Sequence, residues 1–196
     1  MRYRRNKYAT LDNLIKMGLL TDDSLKKTNN ILLEVGSGRG KFISSLALLN
    51  KELIYVAVEK NYNACYQIMK IKENLQIDNL FVIRDDCINI FNYLEKESIN
   101  EIYINFPDPW LKNRNAKNRL VGLDFLGLFY SLLKKGGVLI FTSDEKNLYD
   151  EIILNSLAKQ FKIREKTEDL PIREIMTEYE IKKRLSTNIY QVILEK

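Results

Sequence analysis

The sequence contains no histidine. That absence removes Ser-His-Asp and Cys-His nucleophile systems, His-ligated zinc and any imidazole proton shuttle. Cysteine is nearly as scarce. Cys65 and Cys87 have no CxxC partner, so neither a thiolate metal site nor a disulfide framework is expected, and two reduced, buried thiols are the plain reading. Long hydrophobic runs are missing too: the longest, Leu53 to Val58, falls far short of the roughly 20 apolar residues that a membrane span needs. The opening Met1-Arg2-Tyr3-Arg4-Arg5-Asn6-Lys7 has no apolar stretch behind it, so a cytoplasmic protein without a secretory signal is expected. Proline (3) and glycine (8) are sparse among the 196 residues, with no repeat or low-complexity linker. The expectation is one domain over residues 1–196, large enough to bury about 70% of its unfolded surface, with residues 1–10 as a basic amino-terminal arm.

Charge says more when located than when summed. The net is +5, yet residues 2–7 and 112–119 together hold eight basic residues and no acid, leaving 23 basic against 26 acidic residues elsewhere. Two concentrated patches on a slightly acidic body favour a polyanionic partner, nucleic acid above all.

The apolar segments are short β-branched runs: Ile31 to Val35, Leu53 to Val58, Leu80 to Ile83, Glu101 to Phe106, Val138 to Thr142 and Ile189 to Leu194. Between them, Lys41 to Asn50, Asn61 to Leu75 and Leu120 to Leu133 repeat their apolar residues at three and four, and Asp144 to Phe161 reads as a further helix. Alternation of this kind predicts an α/β fold, a doubly wound, mostly parallel sheet. The last run follows a polar turn at Ser186 to Asn188 and is expected as an antiparallel edge strand. Ligands of such sheets sit at the carboxyl ends of the strands, where the chain's motifs all fall.

The first motif is Leu33-Glu34-Val35-Gly36-Ser37-Gly38-Arg39-Gly40, closing the first strand and opening a helix. Glycines at 36, 38 and 40 permit a tight turn and close approach of a ligand to bare backbone. The dinucleotide fingerprint would need glycine at 41, which is Lys41, so the spacing argues against a pyrophosphate cofactor. Glu59, at the end of the second strand, can accept both hydroxyls of a ribose. Asp85-Asp86 after the third strand can meet an adenine amino group or cap the next helix, and Glu34 either serves the ligand or caps its own turn. Together these resemble the class I methyltransferase layout for S-adenosyl-L-methionine. No residue there supplies chemistry, because the sulfonium arrives activated and the protein need only align an acceptor.

The second motif follows the fourth strand: Pro107-Asp108-Pro109-Trp110, then Lys112, Arg114, Lys117 and Arg119 with no intervening acid. Two of the three prolines bracket Asp108, and the only tryptophan follows, which rigidifies a loop where an acceptor would enter.

Here the chain resembles the tRNA (guanine-N7)-methyltransferase family, whose hallmark PDPW-x-K-x-R-x-x-K is matched by Pro107 to Trp110, Lys112, Arg114 and Lys117. Phe141-Thr142-Ser143-Asp144 and Ile175-Met176-Thr177-Glu178-Tyr179-Glu180 match further family motifs, and the likeness spans nearly the whole chain. It implies a seven-stranded Rossmann-like sheet with an antiparallel last strand. It implies cofactor contacts at Glu34, Gly36, Gly38, Gly40, Glu59, Asp86 and Asp108, with Asp108 also catalytic. Substrate contacts fall on Lys112, Asp144, Thr177, Glu178, Tyr179 and Glu180, and RNA contacts on Arg114, Lys117 and Arg119. The resemblance further implies tRNA as the partner, with no membrane, no metal and no obligate protein partner. Asn115 and Asn118 stand where family members commonly carry histidine and a further basic residue, which weakens the local field for RNA.

The chemistry implied suits a chain without histidine. Guanine N7 has a free lone pair, so its methylation needs no general base, and an aspartate can stabilise the positive charge that grows on the ring. A guanine in the variable loop would have to turn out of its stack to reach Asp108. Two rivals differ in testable ways: a methyltransferase acting on another RNA or a small molecule would not need tRNA, and a non-enzymatic RNA-binding module would not bind the cofactor.

Overall fold

The computed structural model describes residues 6–110 and 117–196. The chain falls into two compact units, residues 1–95 and 96–196.

In the first unit, helix α1 (Leu11–Lys16) precedes strand β1 (Ile31–Val35), helix α2 (Lys41–Leu49), strand β2 (Ile54–Val58), helix α3 (Tyr62–Asn74) and strand β3 (Leu80–Ile83). A 3-10 turn over Cys87–Asn92 follows. The strands pair in parallel in the order β3-β2-β1, with Leu33 opposite Val56 and Val56 opposite Phe81. All five residues of β1 are buried, as continuous apolar runs in a two-sided parallel sheet must be. Asn61 starts α3 by accepting the amides of Asn63 and Ala64 at its side chain, which satisfies orphan donors of the first turn. Ala64, Cys65, Ile68 and Met69 then face the core.

In the second unit, strand β4 (Ile99–Asn105) leads to helix α4 (Leu123–Leu132) and strand β5 (Leu133–Ser143). Helix α5 (Lys146–Ala158), strand β6 (Lys162–Thr167), helix α6 (Glu178–Lys183) and strand β7 (Tyr190–Glu195) complete it. The order is β4-β5-β7-β6; β4 and β5 are parallel, and β7 runs antiparallel to both β5 and β6. The expected α/β class and antiparallel last strand are observed.

One expectation needs correction. The last strand is interior, not an edge: β7 lies between β5 and β6, with Val192 and Leu194 fully buried. The true edge is β6, Lys-Ile-Arg-Glu-Lys-Thr, which has no apolar run because most of its side chains are exposed. An edge strand rich in charge resists pairing with other chains, and the same charge hides it from a hydrophobicity reading.

Candidate functional site

The glycine turn is built by backbone bonds from β1 to β2. Val58 carbonyl accepts the amides of Gly36 (2.8 Å) and Ser37 (3.2 Å), the Gly40 amide donates to Ser37 carbonyl (2.8 Å), and Ser37 Oγ donates to Glu34 carbonyl (2.9 Å). Gly38 donates to Glu59 Oε2 at 2.9 Å. Four amides of the turn are thus committed inside the protein, which leaves it unlike a phosphate cradle, where converging free N–H groups are required. The two outer glycines serve different ends. A Cβ on Gly40 (φ 76°) would lie 2.6 Å from Ile68 Cγ1, whereas among the described residues no atom beyond Gly36 and its two chain neighbours lies within 4 Å of where a Cβ on Gly36 (φ 72°) would sit. Gly40 lets α2 pack on α3; Gly36 keeps a cradle open that a side chain would fill.

Around the turn, Glu34 is 2% exposed. Glu59 also accepts the Asn61 amide through Oε1 at 2.9 Å, so its carboxylate stands fixed at the end of β2, each oxygen retaining a further lone pair. Asp86 accepts the Ile88 amide at 3.2 Å and pairs with Lys60 Nζ at 2.5 Å. Burial raises its pKa, but the bonds from Lys60 and Ile88 outweigh that and hold it below the ordinary carboxylate value. Asp85 accepts from the Asn89 amide and the Tyr93 hydroxyl. A buried carboxylate, an open glycine cradle and two anchored acids fit a ligand with an ammonium, a ribose and an amino-bearing base.

In the second unit, the segment after β4 carries two non-glycine residues in left-handed backbone, Phe106 (φ 50°) and Trp110 (φ 44°). Such conformations persist only where surroundings impose them, and they cluster at functional sites. The Phe106 amide donates to Thr142 carbonyl at 2.8 Å, and Asp108 between them is exposed. Lys117 is exposed, while Lys112, Arg114 and Asn115 lie outside the described residues.

The end of β5 gathers a second cluster. Asp144 Oδ2 accepts from Lys183 Nζ at 2.7 Å and from the Tyr179 hydroxyl at 3.3 Å. Tyr179 in turn packs on Phe106, ring centroids 5.1 Å apart. The Asp144 carboxylate raises the Lys183 ammonium well above its usual value. Lys183 was not expected here, though its spacing of four from Tyr179 places both on one helix face.

The Thr177 to Glu180 stretch divides by role. Thr177 caps α6, accepting the Glu180 amide at 2.9 Å. Glu180 is 0% exposed and bonds Arg173 Nη2 (2.6 Å) and Arg184 Nη2 (2.7 Å). Arg184 further donates to the carbonyls of Leu170 (2.6 Å) and Pro171 (2.9 Å). These two residues hold the segment together; Tyr179 is the exposed member, and Glu178 is half-buried. Sequence reasoning did not register Arg173 or Arg184, although Arg184 follows Glu180 at the helical spacing of four.

Burial pushes both cysteine thiols up to about 12, so they remain protonated at neutral pH. Among the described residues no three His, Cys, Asp or Glu side chains gather as a metal group, and no helix is long and apolar enough to cross a membrane.

Residues 28–192 match a family model described as "Putative methyltransferase". The tRNA (guanine-N(7)-)-methyltransferase of Metamycoplasma hominis is 34% identical over 195 residues, 96% of each chain. That of Mycoplasmoides gallisepticum is 35% identical over 178 residues, 82% of this chain and 83% of the other. In fold, the chain is similar to the solved structure of an "antibiotic related Methyltransferase", with a TM-score of 0.68 at 16% identity over 96% of this chain and 98% of that one. With that extent of identity over nearly the full length of its relatives, the chain belongs to the tRNA (guanine-N7)-methyltransferase family.

Proposed function

We propose that the chain transfers the methyl group of S-adenosyl-L-methionine to N7 of a guanine in the variable loop of tRNA. Family membership supports the reaction, and one observation in this chain carries the assignment of its centre: the exposed Asp108 is presented on a Pro107–Trp110 segment held in left-handed backbone at both flanks.

The cofactor, when bound, supplies a methyl already activated on sulfonium. The chain's part is to bind and orient. The Gly36-Ser37-Gly38 turn and Glu34 would face the methionine portion, Glu59 the ribose hydroxyls and Asp86 the base amino group. Asp108 accepts hydrogen bonds from the guanine edge and holds a negative charge beside a ring that becomes cationic, which favours the transition state over the ground state. No group has to remove a proton, since N7 attacks through its own lone pair.

On the RNA side, Lys112, Arg114 and Lys117 offer charge to phosphates, while Asp144, Glu178 and Tyr179 offer polar and aromatic contacts to an extruded base. The reading places the protein in the cytoplasm, acting as a single methyltransferase domain without an obligate protein partner and with residues 1–10 as an arm towards tRNA. Incubation with unmodified tRNA and methyl-labelled cofactor, followed by mapping of the labelled nucleoside, tests it. Label in 7-methylguanosine at one variable-loop position is expected; label elsewhere, or on small molecules only, would overturn it.

A further inference from the structure

Arg119 belongs by sequence to the basic run that would face RNA, yet its guanidinium is engaged on the protein. Nε donates to Pro109 carbonyl at 3.0 Å, Nη2 to Trp110 carbonyl at 3.2 Å, and Nη1 to Glu151 Oε2 at 2.7 Å. The Arg119 and Glu151 side chains are only 18% and 28% exposed. The two carbonyls immediately follow Asp108 in the chain. At the other flank the loop is tied by the Phe106 amide to Thr142, so the segment carrying Asp108 is held at both ends.

We propose that Arg119 is a positioning residue for Asp108, a fork that fixes the Pro109 and Trp110 carbonyls to α5 through Glu151, and not a contact to RNA phosphate. The geometry requires it to be arginine. Three acceptors are each met by a different nitrogen of one planar group, which a guanidinium does with rigidly spaced donors and an ammonium on a flexible stem does not. Electrostatics point the same way: Glu151 neutralises the guanidinium at contact, so Arg119 adds little to the field that a polyanion meets. The left-handed backbone of Trp110 needs an imposed constraint, and its carbonyl is one of those that Arg119 holds. Misplacing Asp108 by an ångström would slow methyl transfer without weakening RNA docking.

The inference rests on the reading of Asp108 given above. The test uses the full chain with unmodified tRNA and compares wild type with Arg119→Lys, Arg119→Ala and Glu151→Ala. For each we would measure kcat, the dissociation constants of cofactor and tRNA, and the slope of log tRNA affinity against log salt. Arg119→Lys, which keeps the charge but loses the fork, is expected to lower kcat by about tenfold or more. Glu151→Ala, which leaves both bonds from Arg119 to the loop carbonyls in place, is expected to lower kcat about threefold, and its effect should not add to that of Arg119→Lys in the double variant. The salt slope of Arg119→Ala should stay within about 0.3 of wild type, because one lost phosphate contact would change it by about 0.7 to 0.9. Full kcat in Arg119→Lys, or a slope loss of that size in Arg119→Ala with unchanged kcat, would overturn the inference. If the Arg119 variants do not fold, Glu151→Ala decides alone: wild-type kcat there overturns it. A wild-type chain with no turnover on tRNA would instead remove the reading of Asp108 and this inference with it.

Discussion

Glu59 holds Gly38: one carboxylate oxygen accepts the Gly38 amide at 2.9 Å while the other accepts Asn61 at the same distance. The residue assigned to the ribose therefore also fixes the turn assigned to the methionine portion. Glu59→Ala is expected to weaken cofactor binding by about tenfold or more, since each charged hydrogen bond lost costs about 1.5 to 3 kcal/mol. Glu59→Gln should also weaken it, because an amide must set its NH2 against one of the two N–H donors. Calorimetry with the cofactor reads both, and tRNA affinity should not move. Unchanged cofactor affinity in Glu59→Ala would take the residue out of the site.

The glycines should separate stability from binding. Gly40→Ala pushes a methyl to 2.6 Å from Ile68 in left-handed backbone, a strain plus overpacking cost of about 2 to 4 kcal/mol. Gly36→Ala has room, so its stability cost is the conformational one alone, about 1 to 2 kcal/mol, while the new methyl enters the cradle and cofactor affinity drops. Urea unfolding beside calorimetry distinguishes the two, and equal melting losses with equal binding losses would contradict the assignment.

Asp108 should act on turnover more than on docking. Asp108→Ala is expected to lower kcat far more than it raises the tRNA dissociation constant. Asp108→Asn should be damaging as well, because the amide keeps the shape and loses the charge. Retention of most activity by the Asn variant would assign the effect to hydrogen bonding alone.

Glu180 is expected to matter for folding first. Removing it leaves Arg173 and Arg184 facing a space with no carboxylate, and breaking such a pair costs about 3 to 5 kcal/mol. Glu180→Ala should therefore lose stability in denaturant titration before any effect on tRNA is measurable. Native stability in that variant with weakened tRNA binding would make Glu180 a direct contact.

Salt reports the phosphate contacts. Replacing Lys112, Arg114 and Lys117 by Ala should flatten the slope of log affinity against log salt by about two to three units, at roughly 0.7 to 0.9 per phosphate. Cofactor binding should stay intact. An unaltered slope would shift the RNA surface to Arg2, Arg4, Arg5 and Lys7, whose replacement repeats the test.

The parallel strands, the glycine turn and the Pro-Asp-Pro-Trp loop were all legible in the sequence, because each depends on local chemistry: apolar runs for strands buried on both faces, glycine for positive φ, proline for a fixed loop. The absence of histidine and the placement of charge likewise narrowed the reaction before any fold was known. Tertiary structure decided what local pattern cannot carry. β6 leaves no hydrophobic signal in the sequence because it is an exposed edge, and the interior place of β7 is not written in its own residues because its sheet neighbours are set by topology. Arg119 and Glu180 look like surface charges on paper. The partner that redefines each is remote or turned inward: Glu151 lies 32 residues from Arg119, and Glu180 is enclosed by two arginines. A charged side chain's role follows from which opposite charge the fold brings beside it and how much water is left there, and neither quantity exists until the chain has folded.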